Sequence, residues 1–153
     1  MNIQNIWQQP KSPELVAELK QFWKIANGIP STDLDSVCLI ARNEENQIRG
    51  VLLTIETYSS RLANTFFAYT VHIHPNHRRS KLATKMLLLA NSYFEQQFIL
   101  GETKNIGALL RIENKALAEH HNEAIWDTTG FIYIGKLPKA GHIRVRYFKG
   151  ARV

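Results

Sequence analysis

The chain has 153 residues, of which 44% are hydrophobic and 21% are charged, and its formal net charge is +6. This balance excludes an intrinsically disordered protein, and the length is typical of one domain with a single core, which we expect to span residues 1–153. The longest apolar run is too short to cross a bilayer, and the N-terminal residues lack the basic start and apolar block of a signal peptide. The positive charge favours an anionic partner, either a phosphorylated cofactor or a nucleic acid.

The single cysteine, Cys38, lies in an apolar run. One cysteine allows no internal disulfide, which fits a reducing compartment, and free cysteines are usually buried. We therefore expect Cys38 to be a packing residue of the core and the protein to be cytoplasmic.

The hydrophobic periodicity predicts ten elements in the order β-α-β-β-β-α-β-α-β-β. The first helix is expected to begin at Ser12-Pro13-Glu14, an N-cap followed by proline at the first helical position, and to stop at Gly28. The predicted strands cover residues 2–7, 36–42, 47–58, 65–74, 106–112, 131–135 and 142–148, and the later helices cover 82–100 and 114–129. This order predicts an α/β (α+β) fold with a mixed, mostly antiparallel sheet of about seven strands and helices on both faces.

The stretch from the strand at 65–74 into the following helix is the main functional signal. Bulky residues on both faces indicate a central strand, and it ends at Pro75. A short basic loop with Arg78, Arg79 and Lys81 then leads directly into the helix, whose expected buried stripe is Leu82, Met86, Leu89, Tyr93 and Phe94. Free backbone N–H groups and positive charge at a helix start predict a diphosphate site.

Two motifs in the chain resemble those of the GNAT superfamily of acyl-CoA-dependent N-acyltransferases. The family's cofactor motif is Arg/Gln-x-x-Gly-x-Gly/Ala after an apolar strand, and here Val71-His72-Ile73-His74-Pro75 precedes Arg78-Arg79-Ser80-Lys81-Leu82-Ala83. Arg78 and Ala83 fit the pattern, whereas Lys81 stands where the family usually has glycine. The second signature is an aromatic residue four positions before Gly-Phe, and it occurs as Trp126 before Gly130-Phe131. The resemblance implies a GNAT-like fold over nearly the whole chain.

The resemblance implies acetyl-CoA or another acyl-CoA as co-substrate, and no metal. Backbone groups of residues 71–73 would pair with the pantetheine arm, and the N–H groups of residues 79–84 would hold the diphosphate. Arg78 and Arg79 would add charge-assisted contacts to phosphate, and Trp126 would pack against the cofactor or the core. The expected cofactor-binding residues are therefore Val71, His72, Ile73, Arg78, Arg79, Ser80, Lys81, Leu82, Ala83, Thr84 and Trp126.

Acyl transfer to an amine requires a neutral amine, a stabilised oxyanion and a leaving thiolate. A backbone N–H of residues 71–73 is the expected oxyanion donor. Many family members have a tyrosine acid where this chain has Trp126, so Tyr133, Tyr69 or solvent would have to supply that proton. The candidates for the general base, near the inferred cleft between the central strands, are Glu113, Glu56, His72 and Tyr69.

Two other readings of the basic and histidine residues remain open. His72, His74 and His77 could suggest zinc, but no Cys or Asp joins them locally, so we expect no metal. His142, Arg144 and Arg146 alternate on the last strand, and Lys149 and Arg152 follow. This pattern is typical of an RNA-facing strip or, as we favour, of a solvated edge strand whose charges prevent edge pairing.

The acceptor is expected to be a small-molecule amine or a protein or peptide amine, with an RNA-linked amine such as aminoacyl-tRNA as a further candidate. We expect no membrane partner and a monomer or a homodimer. The departures at Lys81 and Trp126 leave a second class of function open, a GNAT domain that binds acyl-CoA or a partner without catalysis.

Overall fold

The computed structural model describes residues 1–26, 34–112, 115–137 and 141–153. Within these ranges the predicted order of strands and α-helices is confirmed, and short 3-10 helices occur at Leu34–Ser36 and Pro75–His77. The elements are β1 Asn2–Asn5, α1 Pro13–Ala26, β2 Val37–Arg42, β3 Ile48–Ser59, β4 Asn64–Ile73, α2 Leu82–Ile99, β5 Gly107–Ile112, α3 Lys115–His120, β6 Ile132–Leu137 and β7 Gly141–Tyr147. None of the helices in this part of the chain is long and apolar enough to cross a membrane.

The strands form one seven-stranded sheet in the order β1-β2-β3-β4-β5-β7-β6. Pairing is antiparallel between β1 and β2, β2 and β3, β5 and β7, and β6 and β7, whereas β4 and β5 are parallel. The predicted α/β fold with a mixed, mostly antiparallel sheet of seven strands is therefore confirmed.

The chain forms two compact units. The first unit comprises Met1–Thr54 and Val71–Ala90, and the second comprises Ile55–Thr70 and Asn91–Val153. β3, β4 and α2 each contribute residues to both units. Each unit is described below by itself.

The first unit is built around an apolar cluster between α1 and strands β2 and β3. The Ser12 hydroxyl accepts a hydrogen bond from the Leu15 N–H at 3.1 Å, so Ser12 caps α1 as the sequence predicted. Cys38 is completely buried, as expected, and burial raises its pKa to about 12, which removes it as a nucleophile. The expected stop of α1 at Gly28 lies outside the described residues. The core cluster is Ile6, Leu19, Phe22, Trp23, Val37, Ile40, Ile48 and Val51.

The second unit has an aromatic core. Phe67 on β4 stacks on Phe94 of α2 with ring centroids 4.1 Å apart, and Tyr69 lies 6.2 Å from the same ring. Such aromatic pairs stabilise a core beyond the area they bury.

Leu89, expected on the buried stripe of α2, is 47% exposed, so that assignment was wrong. The helix instead buries Leu82, Met86, Leu87, Ala90 and Phe94.

The predicted helix at 114–129 is wrong over most of its length, because α3 ends at His120. The segment after it turns back onto β6, where the Trp126 N–H donates to the Phe131 carbonyl and the Tyr133 N–H to the Ala124 carbonyl, each at 2.8 Å. These hydrogen bonds to β6 use backbone groups that a continuous helix would pair internally. The apolar residues Ala124, Ile125 and Trp126 therefore do not lie on a helix, and Ile125 forms an isolated β-bridge with Ile132.

Candidate functional site

The basic loop between β4 and α2 has a fixed internal hydrogen-bond pattern. His74 caps the 3-10 helix, since its Nδ1 accepts a hydrogen bond from the Asn76 N–H at 3.2 Å. The His77 N–H donates to the His74 carbonyl at 2.8 Å, and the Ser80 hydroxyl donates to the His77 carbonyl at 2.6 Å. The loop is thus a defined turn that delivers the chain to the first residue of α2.

Arg78 ties this loop to its surroundings. Its Nε donates to the Ile73 carbonyl at 3.2 Å, and its Nη2 donates to the Ala26 carbonyl at 2.7 Å. These bonds join the loop to the end of β4 and to the last residue of α1. Arg79 and Lys81 are exposed. The phosphate contacts expected of Arg78 and Arg79 stay predictions, and Arg78 has a structural role that sequence reasoning missed.

Lys81 has a backbone φ of 64°, in the left-handed region that favours glycine. It occupies the position of the motif where the GNAT family usually has glycine. Its carbonyl accepts a hydrogen bond from the Lys85 N–H at 3.1 Å, so α2 begins directly after it. The lysine therefore adopts the conformation for which glycine is usually selected.

The start of α2 carries N–H groups that have no acceptor within the helix. Lys85 is the first residue here whose N–H donates to the carbonyl four residues before it, so the N–H groups of residues 82–84 have no such acceptor. These groups lie at the positive end of the helix dipole. Gly50 on β3 lets α2 approach closely, because a Cβ there would lie 2.9 Å from Met86 Sδ and 3.2 Å from Leu82 Cδ2. Sequence reasoning missed Gly50, since only the tertiary contact reveals the need for it.

The end of β4 carries the other part of the expected cofactor site. Val71, His72 and Ile73 are each partly exposed, and the His72 ring lies 5.7 Å from the Trp23 ring. Burial lowers the pKa of His72, which favours a neutral imidazole capable of accepting a proton. β4 pairs with β5 over Phe67–Tyr69, and the strand continues beyond this pairing to Ile73.

The expected residues fall into the two units as follows. The cofactor-binding candidates of the strand end and the loop, residues 71–73 and 78–84, all lie in the first unit. Glu56, Tyr69 and Trp126 lie in the second, where Glu56 is exposed and Tyr69 is only 2% exposed. Glu113 lies outside the described residues. The roles of Glu113, Glu56, His72 and Tyr69 as bases therefore stay predictions.

Trp126 is held by side-chain contacts within the second unit. Its indole N–H donates to the His121 carbonyl at 3.1 Å, and the Arg144 guanidinium carbon lies 4.0 Å from its ring centroid. The indole N–H is therefore already occupied by a backbone carbonyl. The expectation that Trp126 packs is consistent with these contacts, while its contact with a cofactor stays a prediction.

The basic residues of the last strand do not form a solvated edge or an RNA-facing strip. β7 lies between β5 and β6, and Arg144 is only 1% exposed. The Arg144 guanidinium donates to the carbonyls of His121 and Glu123 at 3.1 and 2.7 Å, and burial lowers its pKa. Arg146 forms an ion pair with Glu95 at 3.2 Å. The predictions of a solvated edge and of an RNA-facing strip were both wrong, because the groups that accept hydrogen bonds from Arg144 and Arg146 lie in segments distant in sequence.

Across the described ranges of the chain, no group of three or more His, Cys, Asp or Glu side chains is placed to hold a metal ion.

Comparison with known proteins shows likeness at the level of structure. No protein-family model and no curated protein sequence matches the chain. A GNAT-family acetyltransferase from Streptococcus pneumoniae is similar over 94% of this chain and 95% of that chain, with a TM-score of 0.62 and 14% identity. A phosphinothricin acetyltransferase from Sinorhizobium meliloti, solved in complex with acetyl-CoA, matches over 96% and 88%, with a TM-score of 0.64 and 9% identity.

A chimera of spermidine N-acetyltransferase from Vibrio cholerae is also similar, over 97% of this chain and 96% of that chain, with a TM-score of 0.61 and 11% identity. Identities this low show likeness of fold alone. The chain therefore has the fold of the GNAT acetyltransferases, as the two sequence motifs indicated.

Proposed function

We propose that this protein is an acyl-CoA-dependent N-acyltransferase that uses acetyl-CoA as donor and a primary amine as acceptor. The observation that carries the proposal is the left-handed backbone of Lys81 at the glycine position of the cofactor motif, directly before α2. A residue with a side chain adopts this conformation at a cost, which is expected where the backbone has a specific task. The task we infer is the presentation of N–H groups to a diphosphate.

Cofactor binding would use the loop and the strand end of the first unit. The N–H groups of residues 82–84 would face a diphosphate at the helix start, whereas the Ser80 N–H already donates to the His77 carbonyl at 3.2 Å. The exposed Arg79 and Lys81 would add positive charge. The backbone of residues 71–73 offers strand-like hydrogen bonds to the amide groups of the pantetheine arm. The structure of the phosphinothricin acetyltransferase with acetyl-CoA supports the choice of cofactor class.

The reaction requires the amine nitrogen to attack the thioester carbonyl, so that a C–N bond forms and the C–S bond breaks. A base must take the proton lost by the amine, and His72, Glu56 and Glu113 are the candidates. A backbone N–H at residues 71–73 would stabilise the oxyanion, and such a donor contributes about 10²–10³ in rate. Because the Trp126 indole N–H is already engaged, the leaving thiolate would be protonated by Tyr133 or solvent.

A primary amine is the favoured acceptor class. The spermidine N-acetyltransferase chimera among the structural neighbours supports it. The buried, unreactive thiol of Cys38 supports a cytoplasmic site of action, where free cysteines persist.

Thermal unfolding with and without acetyl-CoA tests the cofactor step. A ligand that binds only the folded protein stabilises it by about 2.7 kcal/mol at a hundredfold excess over Kd. We expect a concentration-dependent rise in Tm with acetyl-CoA and with CoA. No rise with millimolar acetyl-CoA or with longer acyl-CoAs would contradict the proposal.

The second candidate function is a domain that binds acyl-CoA without catalysis. It is favoured by Trp126, because an indole replaces the usual tyrosine acid and its N–H donates to the His121 carbonyl. Release of free CoA with a panel of polyamines, amino acids and peptides separates the two. Binding of acetyl-CoA without CoA release from any amine would favour the non-catalytic function.

A further inference from the structure

His74 joins the basic loop to the sheet and also closes the first turn of the loop, and the proposed function does not use it. It is 9% exposed and lies directly after β4. Its backbone N–H donates to the Arg49 carbonyl on β3 at 2.8 Å, and its carbonyl accepts the His77 N–H at the same distance. Its side-chain Nδ1 accepts the Asn76 N–H at 3.2 Å. One residue thus anchors the loop to the sheet and closes its first turn.

This arrangement requires a neutral imidazole with its proton on Nε2. A nitrogen that carries a proton is a donor and cannot accept the Asn76 N–H. The surroundings enforce the neutral form, since burial lowers the pKa of His74 and the positive charges of Arg49, His77 and Arg78 lower it further. Arg49 lies on β3, Arg78 directly follows the 3-10 helix, and the His77 ring of that helix lies 6.1 Å from the His74 ring.

We propose that His74 is the positioning residue of the cofactor loop, and that its unprotonated Nδ1 holds the loop in the form that presents the α2 N–H groups to acyl-CoA. Protonation of Nδ1 removes the cap of the turn and adds a positive charge beside Arg49 and Arg78. The loop then opens, and with it the site. The ligand in this inference rests on the proposed function, whereas the structural role of His74 does not.

Two variants separate the effect of the Nδ1 hydrogen bond to Asn76 from the effect of a positive charge on the ring. Asn is a preferred cap residue that accepts the same N–H without titrating, so H74N should keep the loop at every pH. H74A removes the acceptor, and we expect acetyl-CoA to bind it about fivefold more weakly at pH 8, the equivalent of one hydrogen bond. Isothermal titration calorimetry of the wild type, H74N and H74A with acetyl-CoA, from pH 8 to pH 5, measures both effects.

The expected result is that the wild-type and H74N affinities agree at pH 8 and diverge below the ordinary imidazole value of 6.5, with the wild type the weaker. Titration of the cofactor's own phosphates affects both proteins equally and cancels in the comparison. Parallel pH profiles, or tighter wild-type binding at low pH because protonated His74 attracts phosphate, would overturn the inference.

A ligand-free measurement keeps this test separate from that of the proposed function. NMR of the imidazole nitrogens should show Nδ1 without a proton at pH 8, and amide exchange at Asn76 should accelerate in H74A but not in H74N. An Nδ1 proton at pH 8, or unchanged exchange in H74A, would overturn the role of His74 even if acetyl-CoA binds. If acetyl-CoA binds no variant while these ligand-free results hold, the proposed function fails and the positioning role stands.

Discussion

At the scale of single residues, the most informative position is Lys81. A side chain at φ 64° costs of order 1–2 kcal/mol, and a β-branched side chain costs more. We expect Lys81→Val to destabilise the protein by about 1–2 kcal/mol, while Lys81→Gly stays within about 1 kcal/mol of the wild type because relieved strain offsets the added chain entropy. Urea unfolding measures both variants, and equal stabilities for the Val and Gly variants would contradict the left-handed assignment.

Arg78 and Arg79 are adjacent basic residues with different expected behaviour. We expect Arg78→Glu to weaken acyl-CoA binding, because it removes a positive charge from the loop. Since Arg78 donates to the Ile73 and Ala26 carbonyls, we expect Arg78→Glu to lower the free energy of unfolding as well, by about 1–3 kcal/mol.

Arg79 is exposed like Arg78 but makes neither of these two hydrogen bonds, so Arg79→Glu is the matched control. We expect it to weaken acetyl-CoA binding with stability changed by less than about 0.5 kcal/mol. Calorimetry and urea unfolding on both variants separate the two effects, and an Arg79→Glu variant that binds with unchanged affinity would count against the loop as the phosphate site.

At the scale of elements, the packing of α2 on β3 depends on Gly50. A Cβ at residue 50 would lie 2.9 Å from Met86 Sδ and 3.2 Å from Ile73 Cδ1. Gly50→Val should destabilise the protein by about 1–3 kcal/mol through overpacking, and Gly50→Ala less, because the Met86 thioether can move.

The control for Gly50 is a double-mutant cycle with Met86→Ala. Removing the thioether makes room for the added methyl, so Gly50→Ala should cost less in the Met86→Ala background than in the wild type. Strictly additive free energies of unfolding would show that the two positions do not meet.

The segment after α3 is held on the sheet by Arg144. Its guanidinium donates to the His121 and Glu123 carbonyls and stacks on Trp126. Arg144→Met leaves these carbonyls unpaired and should destabilise the protein by about 3 kcal/mol, with Trp126 fluorescence changed in the folded state. Arg144→Lys keeps the charge but loses the fork of donors, so an intermediate loss is expected. A native fluorescence spectrum in Arg144→Met would refute the role of Arg144 as a clamp.

At the scale of the whole molecule, the histidines predict an acid-sensitive fold. The pKa values of His72 and His74 are lowered by folding, mainly through burial. Well above pH 6.5 both states are neutral at these sites. As the pH falls below 6.5 the unfolded chain takes up protons first, so stability decreases until the folded-state pKa is reached.

Urea unfolding between pH 8 and pH 5 checks this dependence. We expect a plateau above pH 7 and a decline below 6.5, with at most about 1.4 kcal/mol per pH unit for each histidine. The free energy of unfolding of H74N should decline less steeply with falling pH, because only one of these two histidines, His72, remains in that variant. Equal slopes for H74N and the wild type would show that His74 does not contribute.

Much of the fold could be predicted from the sequence because it is encoded locally. Alternating and 3.6-residue periodicities gave the order of all ten elements, and the cap at Ser12 gave the start of α1. The basic loop could be found because a strand, Pro75 and a helix start are adjacent in the chain. The burial of Cys38 followed from the apolar run around it.

The tertiary structure decided what depends on partners far along the chain. The strand order β5-β7-β6 places β7 inside the sheet, so β7 is not the basic edge strand that the sequence predicted. Arg144 on this strand is buried, and the carbonyls that accept its hydrogen bonds lie in residues 121–124. α3 ends at His120, directly before the residues that supply these acceptors. The roles of Gly50 and His74 depend on contacts between β3, the end of β4 and α2, which are distant from one another in sequence. Sequence periodicity reports which face of an element is apolar, but the pairing of a buried polar group depends on which distant segment lies against it.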